Sequence, residues 1–351
     1  MRPTDTTGGA LGRVTRRSFL HRVAGCGAAA ALAGAARLLG QTPVPFGKAR
    51  IDADGAMALG RPGTSETGRT RVVRAGSPRV VPPGDIDMGR LTVALHEGLA
   101  ALTDLKRPAD AWHRFLRPDD VVLVKFNRSA ADLLATTAPL ATLVIESLIH
   151  SGWAPERLIA LEVRDDQVSV LRDTRRADLR WQGEEVPFGK SGADSFIAAL
   201  DEATAIVNVP FLKTHHLATM TSCMKNLSHG LIRRPARFHA NGCNPAIAEI
   251  VASRPIRSKL RLNIVNGLRI IIDHGNDATT DDIATAGTLL LSADPVACDA
   301  TGYEMLNEFR AIRGRKPLLR GASLPPYLMT AAELGLGETD SEKIEVVRVE
   351  T

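Results

Sequence analysis

From Asp87 to Val349 the chain alternates between segments whose apolar residues recur at helical spacing and short runs of consecutive aliphatic or β-branched residues. The first helical segment, Asp87 to Leu102, opens on a residue suited to cap it. Val121 to Lys125 comes after the turn Pro118-Asp119-Asp120 and reads as a buried strand. Pro139 to His150 has proline in its first turn and Gly152 beyond its end, which predicts a helix, and Arg157 to Glu162 predicts the next strand. Strand, helix and strand in that order imply a right-handed crossover and parallel pairing. Further strands are expected at Ala205 to Val209, Leu260 to Val265, Leu268 to Ile272 and Thr288 to Leu291. Helices are expected at Pro245 to Ala252 and from Asp294 to about Phe309, and Ile344 to Val349 alternates as an edge strand would.

This pattern predicts an α/β fold: a mostly parallel sheet flanked by helices, over residues 87–349, with a loop-rich insertion at about 210–245 lying over the strand ends. In open parallel sheets the ligand crevice lies beyond the carboxyl ends of the strands. Residues 41–86 are rich in Gly, Pro, Arg and Ser with little periodicity, and read as a linker or surface strap.

Charge changes the picture only at the amino terminus. Of the formal net charge of +5 on 351 residues, all comes from residues 1–40, which hold six arginines and one acid. The remainder is formally neutral and offers no electrostatic footprint for a phosphate backbone, so no nucleic-acid partner is expected. The segment Thr15-Arg16-Arg17-Ser18-Phe19-Leu20, with the weakly apolar run Val23 to Leu39 after it, resembles a twin-arginine signal peptide. It predicts a partner in the twin-arginine translocation machinery and a periplasmic or extracellular location, with no stable membrane span in the mature chain. Ala31-Leu32-Ala33 and Ala33-Gly34-Ala35 both offer cleavage sites, and Val23-Ala24-Gly25-Cys26 resembles a lipidation box set very close to the arginine pair. The other cysteines, Cys223, Cys243 and Cys298, have no paired spacing, so no built-in iron-sulfur motif is expected.

Candidate chemistry concentrates between Asn208 and His239, which hold Lys213, His215, His216, Lys225, Asn226, His229 and His239. Four of the nine histidines lie there, although such groups are costly to bury unpaired. Lys213, His215, Lys225 and His239 are the catalytic candidates. Two cations held close together lower each other's pKa, which suits a nucleophile or base, and histidine supplies a ligand or a proton carrier. In an extended segment His215 and His216 point to opposite faces, which leaves His215 as the candidate, and His229 reads as a capping or surface residue. Lys125, Asn127, Asn226 and Arg237 are candidates for substrate binding, and His215, His239 and Asp273 for a metal. Asp294 before Pro295 reads as a helix cap, and Asp299 as a stabiliser of the same helix's positive end.

These residues stand in an ordered series: Val207-Asn208-Val209-Pro210-Phe211-Leu212-Lys213-Thr214-His215, then Met224-Lys225-Asn226-Leu227, Gly230 and His239, then Ser292 to Asp299. The series resembles the family called domain of unknown function 362. Some relatives carry a ferredoxin-like iron-sulfur module, whose cysteines this chain lacks. The combined expectation is an exported enzyme acting on a small anionic substrate, with a metal ion or organic cofactor inserted before export. The alternative is a periplasmic binding or metal-carrying protein without turnover.

Overall fold

A computed structural model describes residues 63–163, 174–176, 179–319 and 323–351. The signal-peptide expectation at 1–40 and the first part of the linker therefore lie outside the described residues. Twelve strands are present among them: β1 (Thr70–Gly76), β2 (Val122–Lys125), β3 (Leu158–Leu161), β4 (Arg175–Arg176), β5 (Val186–Phe188), β6 (Gly192–Asp194), β7 (Ala205–Asn208), β8 (Phe211–His215), β9 (Thr219–Thr221), β10 (Leu260–Ile271), β11 (Ile283–Ser292) and β12 (Ile344–Val349). The main sheet runs β12-β1-β11-β10-β7-β2-β3-β4, with β8 and β9 continuing it beyond β7. From β10 to β4 every neighbour is parallel, as is the β1–β12 pair; β11 alone runs against both its neighbours on this path. The fold is α/β with a mostly parallel sheet.

Helices cover both faces of the sheet, so its strands are apolar on both sides rather than alternating. On β2 and β7, Leu123 and Ile206 pack on one face, and Val122, Val124 and Val207 on the other. The first face meets the helices Ala246–Ala252, Pro295–Ile312 and Pro326–Glu333, and the second meets Met88–Thr103 and Thr137–His150. The capping assignments hold. Asp87 accepts from the Arg90 amide at 3.0 Å, and Asp294 accepts from the amides of Val296 and Ala297 at 2.8 and 2.9 Å. No helix among the described residues is long and apolar enough to cross a membrane.

Two expectations about organisation need correction. Thr70–Gly76, read as part of a strap, is β1, with Val72, Val73 and Ala75 fully buried between β12 and β11. Arg71 and Arg74 obscure its apolar pattern; Arg71 is satisfied at the margin by Glu345 and Asp104, and Arg74 by Glu308. The two segments expected as strands on either side of Asn266 are one strand, β10, with a register shift between Gly267 and Arg269. A side chain at Gly267 would lie 2.7 Å from the Thr288 carbonyl, so the chain crosses its neighbour too closely for any other residue.

The length of β10 explains the path of the chain after β7. In-register pairing aligns the carboxyl ends of β2, β3 and β7 at Lys125, Leu161 and Asn208. The chain breaks at Val209-Pro210, where proline cannot donate to a ladder, and resumes as β8 alongside the outer half of β10. Part of the expected insertion is thus sheet. It continues through the β8–β9 hairpin into a buried helix, Cys223–Ser228, set over the strand ends.

Candidate functional site

The short helix Cys223–Ser228 carries Lys225 and Asn226, and polar contacts from three directions hold it. Asp299, from the helix Pro295–Ile312, accepts from the amides of Cys223 and Met224 at 2.6 and 3.0 Å. Its carboxylate caps this second helix rather than stabilising its own, as the sequence suggested; burial pushes its pKa up to about 6. An amide ladder forms the second hold. Asn226 Nδ2 donates to Asn208 Oδ1 at 2.8 Å, Asn208 Nδ2 to Asn263 Oδ1 at 2.9 Å, and Asn263 Nδ2 to the Ser292 carbonyl at 3.1 Å. The third is Lys125, whose Nζ donates to Asn226 Oδ1 and Glu162 Oε2, both at 2.9 Å, and to the Phe126 carbonyl at 2.6 Å.

Lys125 therefore lies beneath the site and positions it, where a substrate-binding role was expected. It is fully buried, and burial lowers its pKa while the Glu162 carboxylate opposes the shift. Gly230 closes this floor. A side chain there would sit 2.4 Å from the Asn226 carbonyl oxygen and 2.7 Å from Lys125 Nζ.

Above the floor opens a cleft of about 230 Å³, bordered by the loop after β2, the end of β3, β8 and the segment through His239. The structure brings Lys213, His215, Lys225, His239, Asn127 and Asn226 together on its walls. Lys213 Nζ donates to Ser129 Oγ at 3.0 Å and to Asn276 Oδ1. Burial, and secondarily the Lys225 charge, lower its pKa to about 8; burial lowers that of Lys225 to about 8 as well. Among the described residues neither ammonium meets a carboxylate: Glu162, the acid lining the cleft, is taken by Lys125.

The imidazoles are fixed in different ways. His215 Nδ1 accepts from the backbone amides of Leu217 and Ala218 at 3.2 and 3.1 Å. Its neutral ring must then carry the proton on Nε2, which makes it a hydrogen-bond donor and removes it as a neutral metal ligand. Burial, together with the charges of Lys225 and Lys213, lowers its pKa to about 3. His239 is the reverse case. Its Nδ1 lies 3.0 Å from the Pro235 carbonyl, which fixes the proton there and turns the Nε2 lone pair towards Lys225 Nζ, 3.3 Å away. The two rings stack with centroids 5.7 Å apart.

Residues 159–304 match the family model described as Domain of unknown function (DUF362). The matched segment supplies Glu162, Lys213, His215, Lys225, His229 and His239, whereas Asn127, Arg128 and Ser129 come from the loop after β2, outside the match. No curated protein matches the chain.

Two further expectations about the site do not hold in the structure. Asp273 is held by Arg310 and Arg315 and accepts from the His274 amide at 3.0 Å, so it does not join His215 and His239 in a metal set. Arg237 is exposed, with its guanidinium 5.7 Å from the Phe238 ring centre, and does not line the cleft. His229, read as a cap or surface residue, is the C-cap of the helix Cys223–Ser228, its amide donating to the Lys225 carbonyl at 3.0 Å, but it also lines the cleft with its ring edge-on to His239, centroids 4.6 Å apart. His216 does turn away, with Nε2 3.0 Å from Asp277. Arg128, Ser129, Glu162 and Asn276 were missed. The first three could have been found by tracing β2 and β3 a few residues past their ends; Asn276 comes from a turn that only the fold brings over β8.

Proposed function

We propose that this cleft binds a small anionic substrate and acts on it, with Lys213, His215, Lys225 and His239 as the working groups. The observation that carries this reading is the pair of buried ammonium groups, Lys213 and Lys225, without a carboxylate partner among the described residues. A buried cation without a counterion is costly, and a bound anion would relieve that cost. Asn127, Ser129 and Asn276 add polar groups around Lys213, and the Nε2–H of His215 adds a donor for a substrate oxygen. The cleft volume suits a carboxylate or phosphate of a few heavy atoms. Lys225 and His239, in contact through Nζ and Nε2, form a couple able to pass a proton to or from such a ligand.

The test combines calorimetric titration of inorganic phosphate and short carboxylates with a turnover screen on the anions that bind. Binding by the intact protein, with binding and any turnover lost in Lys225→Ala while the fold is retained, is expected. Undiminished binding by that variant would refute the role of Lys225. A carrier without turnover would show the first effect alone. We also propose that the chain is exported by the twin-arginine pathway, on the strength of the Thr15 to Leu20 motif.

A further inference from the structure

Next to the anion cleft, three side chains are arranged in a way the Lys/His reading does not use. Among the described residues His229, His239 and Cys243 each offer a ligand atom, and these atoms all lie within 4.8 Å of one another. Cys243 is fully buried, yet it lies far from the other cysteines in sequence and forms no disulfide. It is presented by a turn in which Asn241, Gly242 and Cys243 all have left-handed backbone, with φ of 51°, 63° and 63°. Glycine and asparagine tolerate that conformation, whereas for Cys243 it is strained, and residues held so are commonly found where their side chains are used.

His229 gives an independent observation. Its Nε2 is buried without a hydrogen-bond partner, while its Nδ1 lies 3.1 Å from Ser228 Oγ. Buried ring nitrogens are nearly always satisfied by protein, water or an ion, and the two further donor atoms beside this one favour an ion. The Nε2 lone pair of His239 is likewise turned inward by the Nδ1 contact with Pro235.

We propose that His229, His239 and Cys243 form a binding site for a borderline divalent metal ion of the Zn2+ class. One thiolate and two imidazoles are the donor set such ions favour, and three protein ligands leave a coordination position for water or an anion. Zinc bonds of about 2.0–2.3 Å require the three donors to close by roughly 1 Å, a movement within the reach of side-chain rotation. As the metal–sulfur bond forms, the Cys243 thiol releases its proton to solvent and the metal takes the sulfur lone pair, with no change of oxidation state. Lys225 donates to the same His239 nitrogen, so the ion displaces that contact. Cation and ammonium thus compete for one lone pair.

The proposal shares His239 with the anion site but does not rest on that reading, and its assay measures metal alone. Protein stripped by a chelator is titrated with Co2+, whose absorption reports thiolate ligation, and then with Zn2+. One equivalent of Co2+ with a sulfur-to-metal band in the near ultraviolet, displaced by Zn2+, is expected. The band should vanish in Cys243→Ser, and His229→Gln should weaken binding at least tenfold. Lys225→Met, which removes the competing ammonium, should bind as tightly as the parent or tighter. Absence of a saturable equivalent, or a sulfur band that persists in Cys243→Ser, would overturn the assignment. If Cys243→Ser does not fold, His229→Gln decides alone, since its partly exposed ring is tolerant of replacement: unchanged affinity rejects the site.

Discussion

Replacing Lys213 by methionine should make the protein more stable and less able to bind anions. The Lys213 side chain is only 1% exposed, and its pKa falls from 10.5 to about 8, chiefly through burial and then through Lys225. At 1.36 kcal/mol per pH unit, the fold disfavours the ammonium by about 3 kcal/mol. At pH 7 the group is charged both folded and unfolded, so the whole penalty acts. Between pH 8 and 10.5 the folded chain has shed the proton and the unfolded chain still holds it. Unfolding then takes up a proton, so this group makes stability rise with pH across that window and level off above it. Methionine keeps the length and apolar stem, and the partners left behind, Ser129 and Asn276, are exposed enough to be solvated. The expected gain is about 1–3 kcal/mol at pH 7, vanishing above pH 10.5. Urea unfolding of both proteins at pH 7 and pH 9.5 measures it, with anion binding tracked by calorimetry. A variant less stable than the parent at pH 7 would show that Lys213 is a structural group with a satisfied charge, and would undercut the anion site.

Asp299→Asn should cost about 1–3 kcal/mol, because an acceptor facing the Met224 amide is replaced by a donor. The raised carboxyl of Asp299 stabilises the parent fully below its ordinary 3.8, and that contribution is lost as pH rises through about 6. The variant should therefore lose this component of the pH profile in thermal or urea unfolding between pH 4 and 6; an unaltered profile would reject the assignment. Replacing Arg16 and Arg17 by lysine should retain the precursor in the cytoplasm, scored by fractionation of a tagged chain; continued export would count against the twin-arginine reading.

The architecture was largely legible because strands buried on both faces leave continuous apolar runs, as at Val121 to Lys125 and Ala205 to Val209. The elements that escaped were masked by local chemistry. Arg71 and Arg74 hide β1 inside a Gly- and Pro-rich stretch, since the sequence does not show that their guanidinium groups reach acids at the sheet margin. At the site, proximity to a strand end placed Lys213 and Asn127 well. It could not separate a residue on the cleft wall from one beneath it: Lys125 and Asn127 are two apart, and only the first is drawn under the helix Cys223–Ser228 by Asn226 and Glu162. His229 was undervalued because its meaning depends on His239 and Cys243, both at least ten residues further on, folding back over it. Asp273 was overvalued for the opposite reason, since Arg310 and Arg315 arrive from a distant helix and the turn after it.

The most direct test of the account is a calorimetric titration of inorganic phosphate and short carboxylates into the intact protein and into Lys225→Ala at pH 7. Saturable binding at one site in the parent, abolished in a variant that remains folded, is the predicted result. Failure of every such anion to bind the parent, or equal binding by the variant, would contradict an anion site built on Lys213 and Lys225.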